Sequence, residues 1–234
     1  MRGMILVAGA SLAIIAAAGS GALGQSATSR NFAVAGFTAV ELAGSDDVEV
    51  RVGPAFSVRA EGPAAVLDRL IIERRGEALW VSREPGRWSW SGQGARVFVT
   101  MPRIAAAKLS GSGNLNVDRV SGPQFAVASK GSGNLRIGAL AVDRAEFAAV
   151  GSGVVRAAGT AGEINVALKG SGDVDLGGLV ARSGQIALSG SGNVRARVNG
   201  PAQVALSGSG DVDLGPGARC QVVKAGSGEV RCGK

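Results

Sequence analysis

Gly-Ser-Gly occurs seven times in this chain, with its first glycine at Gly111, Gly131, Gly151, Gly170, Gly190, Gly208 and Gly226. The intervals are 20, 20, 19, 20, 18 and 18 residues. A period held this closely marks stacked supersecondary units, each unable to bury its apolar face alone. Gly44-Ser45-Asp46-Asp47-Val48-Glu49-Val50 is an earlier, degenerate copy that lacks the second glycine but keeps the strand after it.

The residues around each triplet say what a unit is. Four and two positions before the first glycine stand Val166 and Leu168, Ile186 and Leu188, and Val204 and Leu206. Four and six positions after it stand Leu115 and Val117, Leu135 and Ile137, Val174 and Leu176, and Val212 and Leu214. Apolar residues thus alternate on both sides of a glycine corner, which is the period of half-buried strands. Each unit reads as strand, corner, strand and short return. The expected fold is all-β: a parallel β-helix, or β-solenoid, with coils of about 18–20 residues and Gly-Ser-Gly corners.

Antiparallel hairpins in a sandwich or barrel are the competing reading, since Gly-Ser-Gly suits a hairpin locally. The outward positions favour the solenoid. Five residues after each first glycine stand Asn116, Arg136, Arg156, Asp175, Arg195, Asp213 and Arg231. Parallel coils would set these in one row about 4.8 Å apart. From Arg156 to Arg231 the signs alternate, as a stacking ladder of opposite charges requires. A second row, three after each glycine, reads Asn114, Asn134, Val154, Asp173, Asn193, Asp211 and Glu229. Amide and carboxylate rows of this kind hydrogen-bond along a stack. Calcium ligation is the functional alternative, but Val154 and three asparagines interrupt the row.

The ends of the chain read differently. Arg2 followed by the apolar stretch from Met4 to Ala18 and by Gly19-Ser20-Gly21-Ala22-Leu23-Gly24 has the form of a secretory signal, residues 1–24, with cleavage after Gly24. An uncleaved anchor is the alternative; the run is shorter than the ~20 residues a spanning helix needs. Residues 25–107 form the irregular N-terminal part of the same solenoid, closing one end, and 108–234 its regular coils, together one domain. Within the first part, Phe32 to Leu42, Val48 to Val52 and Phe56 to Ala60 read as strands. Pro63 to Leu70 reads as a short helix, and Ile71-Ile72 and Leu79-Trp80-Val81 as strands joined around Arg75-Gly76.

In order, Val48-Glu49-Val50-Arg51-Val52, Leu79-Trp80-Val81, Val97-Phe98-Val99-Thr100-Met101-Pro102 and Leu109-Ser110-Gly111-Ser112-Gly113-Asn114-Leu115 give the chain, from about residue 32 to 232, a specific likeness. It resembles the auto-transporter adhesin head family, also called the GIN domain. The resemblance implies a β-helical fold and a periplasmic, outer-surface or secreted location, and carries over no catalytic residue. No sequence after Cys232 has the length of a translocating barrel.

The chain has no histidine, which excludes Ser-His and Cys-His dyads. The same-face pairs Asp173 with Asp175 and Asp211 with Asp213 have the spacing to flank a glycosidic bond, and equally serve as members of the two rows. With 25 Lys and Arg against 18 Asp and Glu, and Arg2 lost with the signal, the exported chain carries about +6. Nucleic acid is excluded as a partner by export; anionic glycan or another envelope component fits the charge. Trp88 and Trp90 share one face of an extended segment and suit either stacking on a sugar or covering the end of the core. The expected function is a non-catalytic, adhesin-like envelope protein binding glycan or another surface partner, without a cofactor. A purely structural envelope component and a polysaccharide-active enzyme are the alternatives. Cys220 and Cys232, the only two cysteines, are expected to pair in an oxidising compartment.

Overall fold

A computed structural model of the chain describes residues 28–84 and 94–233. The expected signal segment, with its expected cleavage point, and the Trp88–Trp90 pair lie outside the described residues.

The first strands are β1 (Thr28–Phe32), β2 (Ala39–Gly44), β3 (Asp47–Val52) and β4 (Ser57–Gly62). A one-turn helix α1 (Ala64–Leu67) follows Pro63, then β5 (Leu70–Arg75), β6 (Ala78–Arg83), β7 (Arg96–Met101) and β8 (Ala106–Gly111). Four long strands carry the middle of the molecule: β9 (Asn114–Gly131), β10 (Asn134–Gly151), β11 (Val154–Gly170) and β12 (Asp173–Gly190). The last are β13 (Asn193–Val198), β14 (Pro201–Gly208), β15 (Val212–Asp213), β16 (Arg219–Ala225) and β17 (Val230–Arg231).

The protein is a parallel β-solenoid. β10 pairs in parallel with β9 on one side and β11 on the other, and each first glycine aligns with the next: Gly111 with Gly131, Gly131 with Gly151, Gly151 with Gly170, Gly170 with Gly190. The carbonyl of Gly111 accepts from the N–H groups of both Ser132 and Gly133 at 3.0 Å, and this double bond to the coil below recurs along the row. The two glycines of a triplet are needed for different reasons. Gly131 has φ +118°, which an L side chain resists. Gly133 does not have a positive φ, but a Cβ there would fall on the carbonyl oxygen of Gly113. Coil length is set elsewhere, at the second bend. Pairing of β12 with β13 jumps from Leu176–Ala196 to Val180–Arg197, leaving three residues of the longer coil without counterparts; one is regained between Ala181–Val198 and Gly184–Ala202, and the period falls by two to 18.

The inward positions expected from the alternation are all inside: Leu135, Ile137, Val174, Leu176, Ile186, Leu188, Val204, Leu206, Val212 and Leu214 belong to one continuous core. Burying each such side chain contributes about 1.5–3 kcal/mol relative to leaving it in water.

The N-terminal part does not stack in chain order. The coil made by β2 and β3 lies between two others: β6 and β7 on one side, β8 and β9 on the other. The chain builds this coil first, passes beneath it, then crosses back to begin the regular stack. Beneath, the parallel pattern ends: β5 runs antiparallel to β6, β4 antiparallel to β7, and β1 antiparallel to β4. The expected single strand from Phe32 to Leu42 is divided, because the chain turns at Gly36, φ +77°, to carry Phe37 into the core against Phe56. The helix is shorter than expected because Leu70 already belongs to β5.

Asp46 stands where later corners have their second glycine. It is fully buried. Its carboxylate is held by residues of the β6–β7 side. It accepts from Arg83 Nε at 2.7 Å, from Arg83 Nη2, and from the Ala95 N–H at 2.7 Å.

At the opposite end, among the described residues, β16 and β17 form the last coil. Val222 aligns with Val204 on the inward parity yet is 45% exposed. Lys224 takes the place held by Leu206 one coil earlier, and its Nζ donates to the Gly228 carbonyl at 3.0 Å. A lysine on an edge strand discourages strand addition from another chain. Cys220 and Cys232 are bonded across this coil, with Cα atoms 6.0 Å apart.

Candidate functional site

The strands that follow the corners turn two outward rows to solvent, because their inward positions are taken by the core. The row three residues after each glycine is a hydrogen-bonded column. Asn114 Nδ2 donates to Asp47 Oδ1 at 2.7 Å and Asn134 Nδ2 to Asn114 Oδ1 at 3.0 Å. Val154 breaks the column. It resumes at Asp173, whose Oδ1 accepts from both the N–H and the Nδ2 of Asn193. Above, the Asp211 N–H donates to Asn193 Oδ1 at 3.3 Å and the Glu229 N–H to Asp211 Oδ1 at 2.8 Å.

The neighbouring row aligns Asn116, Arg136, Arg156, Asp175 and Arg195 in successive coils, and Asp213 and Arg231 continue it. Register alone does not make an ion-pair ladder. Arg156 Nε approaches Asp175 Oδ2 at 3.6 Å. Both carboxylates of the row turn to their own strands: Asp175 accepts through Oδ1 from the Gly177 N–H at 3.2 Å and Asp213 from the Gly215 N–H at 3.0 Å. An aspartate bonded to an amide two residues on is a local turn contact, which wins over a solvated guanidinium a coil away. Arg231 likewise pairs within its strand, with Glu229 Oε2 at 2.9 Å. That hydrogen bond and the arginine charge hold the Glu229 carboxyl below its ordinary value.

Between the rows lies a groove of about 330 Å³, with Asp173, Asn193 and Asp211 along one side and Arg156, Asp175, Arg195, Asp213 and Arg231 along the other. One wall offers carboxylate and amide groups and the other alternates guanidiniums with carboxylates, which suits a polyhydroxylated ligand whose hydroxyls both donate and accept. At its N-terminal end Arg136 and Arg156 stand side by side in register. Two guanidiniums directly opposite each other across strands are unfavourable unless an anion lies between them. Among the described residues no three acidic or cysteine side chains converge to hold a metal ion.

The Asp173–Asp175 and Asp211–Asp213 pairs point outward, as expected from their spacing, with all four carboxylates engaged by main-chain N–H groups. The Asp46–Arg83 pair had no local signal, its members being 37 residues apart. Among the described residues no helix is long and apolar enough to cross a membrane.

Residues 36–215 match the family described as "Putative auto-transporter adhesin, head GIN domain". A "putative adhesin" from Bacteroides fragilis has a similar solved structure, with a TM-score of 0.81, 17% identity, and coverage of 89% of this chain and 98% of that one. A "putative lipid binding protein" from Parabacteroides distasonis gives 0.69 at 17% identity, covering 89% and 97% of the two chains. A "putative adhesin" from Parabacteroides merdae gives 0.62 at 18% identity, covering 89% and 96%. At these identities the likeness is one of fold. No curated protein matches the sequence.

Proposed function

The chain belongs to the auto-transporter adhesin head GIN domain family, and from that membership we propose that it is an exported, non-catalytic envelope protein whose ladder face binds acidic glycan. The observation that carries this reading is the adjacent pair Arg136 and Arg156, in register at the end of a groove walled by Asp173, Asn193 and Asp211. The guanidiniums receive the carboxylate or sulfate of the glycan, and the amide and carboxylate column receives its hydroxyls. Trp88 and Trp90 are offered as a second contact, stacking on a sugar ring. The overall basic charge of the chain favours approach to an anionic surface.

The test is a glycan array probed with the exported protein, followed by Arg136→Ala and Arg156→Ala. The reading expects acidic glycans to bind and neutral ones not, with binding lost in both variants and melting unchanged. Binding that survives both substitutions, or no glycan binding at all, contradicts it; the latter leaves the purely structural envelope role.

A further inference from the structure

The strands that precede the corners present a second outward face, on a different side of the coil from the ladder groove. Its central row is Ala128, Ala148, Ala167, Ala187, Ala205 and Val223, aligned coil on coil. Two residues earlier on each strand stand Glu146, Asn165, Gln185, Gln203 and Gln221. Two residues later stand Lys130, Val150, Lys169, Ser189 and Ser207. Two shallow hollows, of about 710 and 480 Å³, run along the face. Val223 is 75% exposed here and Val150 49%. A continuous apolar face of this size on a soluble protein marks an association surface.

We propose that the face pairs with the same face of a second copy of this chain, about a twofold axis lying along the alanine row. Such an axis keeps the two stacks parallel and their coils level, and lays each row of the glutamine side over the partner's row of the lysine side. Long then meets short: Gln185 faces the partner's Ser189, and Gln203 faces the partner's Ser207. Glu146 faces the partner's Val150 and sits between the partner's Lys130 and the partner's Lys169, each one coil away, about 4.8 Å along the stack. Both signs of charge on one copy are thus answered by the other, twice, as an isologous contact requires. Turning the second stack end for end lays the glutamine-side row over itself and removes this match, so charge selects the parallel arrangement. The contact ends at Lys108, which on its own chain already has Glu41 at 3.8 Å.

The size is sufficient. Six coils at ~4.8 Å by six residues at ~3.3 Å give a projected face of about 600 Å² per copy. The pair therefore buries about 1,200 Å², above the roughly 1,000 Å² a specific interface needs.

Sedimentation equilibrium on the exported protein tests this directly. A dimer is expected, lost in Ala187→Arg, whose side chain starts from an exposed position and leaves the melting curve unchanged. Glu146→Lys should weaken dimerisation by about tenfold or more, and the triple exchange Glu146→Lys, Lys130→Glu, Lys169→Glu should restore it. A wild-type protein that stays monomeric at high micromolar concentration overturns the proposal. So does a dimer indifferent to Ala187→Arg, or a triple variant no better than Glu146→Lys.

Discussion

The guanidinium of Arg83 closes on the fully buried carboxylate of Asp46, with Nε 2.7 Å from Oδ2. This pair occupies a corner that seven later coils build from glycine. Arg83→Ala leaves the carboxylate buried with the Ala95 N–H and no cation, and should cost about 3–5 kcal/mol. Arg75→Ala, which removes an exposed pair with Glu73, should cost under about 1 kcal/mol. Urea unfolding of the two variants checks the contrast; equal midpoints would show that Asp46 does not depend on Arg83.

The corners permit a sharper comparison. Gly133→Ala sets a Cβ against the Gly113 carbonyl in the middle of the stack, where neither backbone can withdraw without breaking its pairing. A loss of about 3 kcal/mol is expected, at the upper end for overpacking. Ser132→Ala, at the exposed residue between the same two glycines, should change stability by less than about 0.5 kcal/mol. Thermal melts of both variants decide it, and a tolerated Gly133→Ala would mean that the coils are farther apart than described.

Cys220 and Cys232 tie the two strands of the last coil, whose outer edge pairs with no strand among the described residues. In the chain-entropy model, closing a loop of this length contributes roughly 3 kcal/mol. Reduction should therefore loosen residues 219–232 first. Hydrogen exchange should rise there while the Leu135–Leu188 region keeps its protection. Uniform loss along the chain would place the bond in the global fold instead.

The periodic part of this molecule could be read from its sequence because period-two alternation says which side of a strand is buried, and Leu188 and Leu206 obey it. Alternation does not say which coil lies on which. The placement of β2 and β3 between β6–β7 and β8–β9 rests on contacts 39 residues apart and more, such as Ala39 with Ala78 and Asp47 with Arg96. The ladder was legible as a column and not as pairings. Spacing aligned Asp175 with Arg195 but could not show that Asp175 would choose the Gly177 N–H. Alanine stands three before five of the seven first glycines, from Ala128 to Ala205, with Lys108 and Val223 at the ends; only the stacked coils turn that repetition into a surface.

Acid titration probes the ladder's last step. The Arg231 hydrogen bond and charge lower the Glu229 pKa from 4.5. A carboxyl lowered on folding adds stability above its unfolded value, and that stability is lost as pH falls through the folded value. Arg231→Ala should return Glu229 to its ordinary midpoint, followed by NMR of its side-chain carboxyl carbon. A midpoint that does not rise would mean that the two side chains do not meet in solution.

Everything above depends on the serines of successive corners standing one coil apart. Spin labels on Ser112 paired with Ser191, Ser209 or Ser227, read by pulsed electron resonance, measure that spacing directly. The stack predicts distances that lengthen by about 4.8 Å per coil, near 19, 24 and 29 Å for four, five and six steps. Distances that fail to increase in that order would contradict the solenoid.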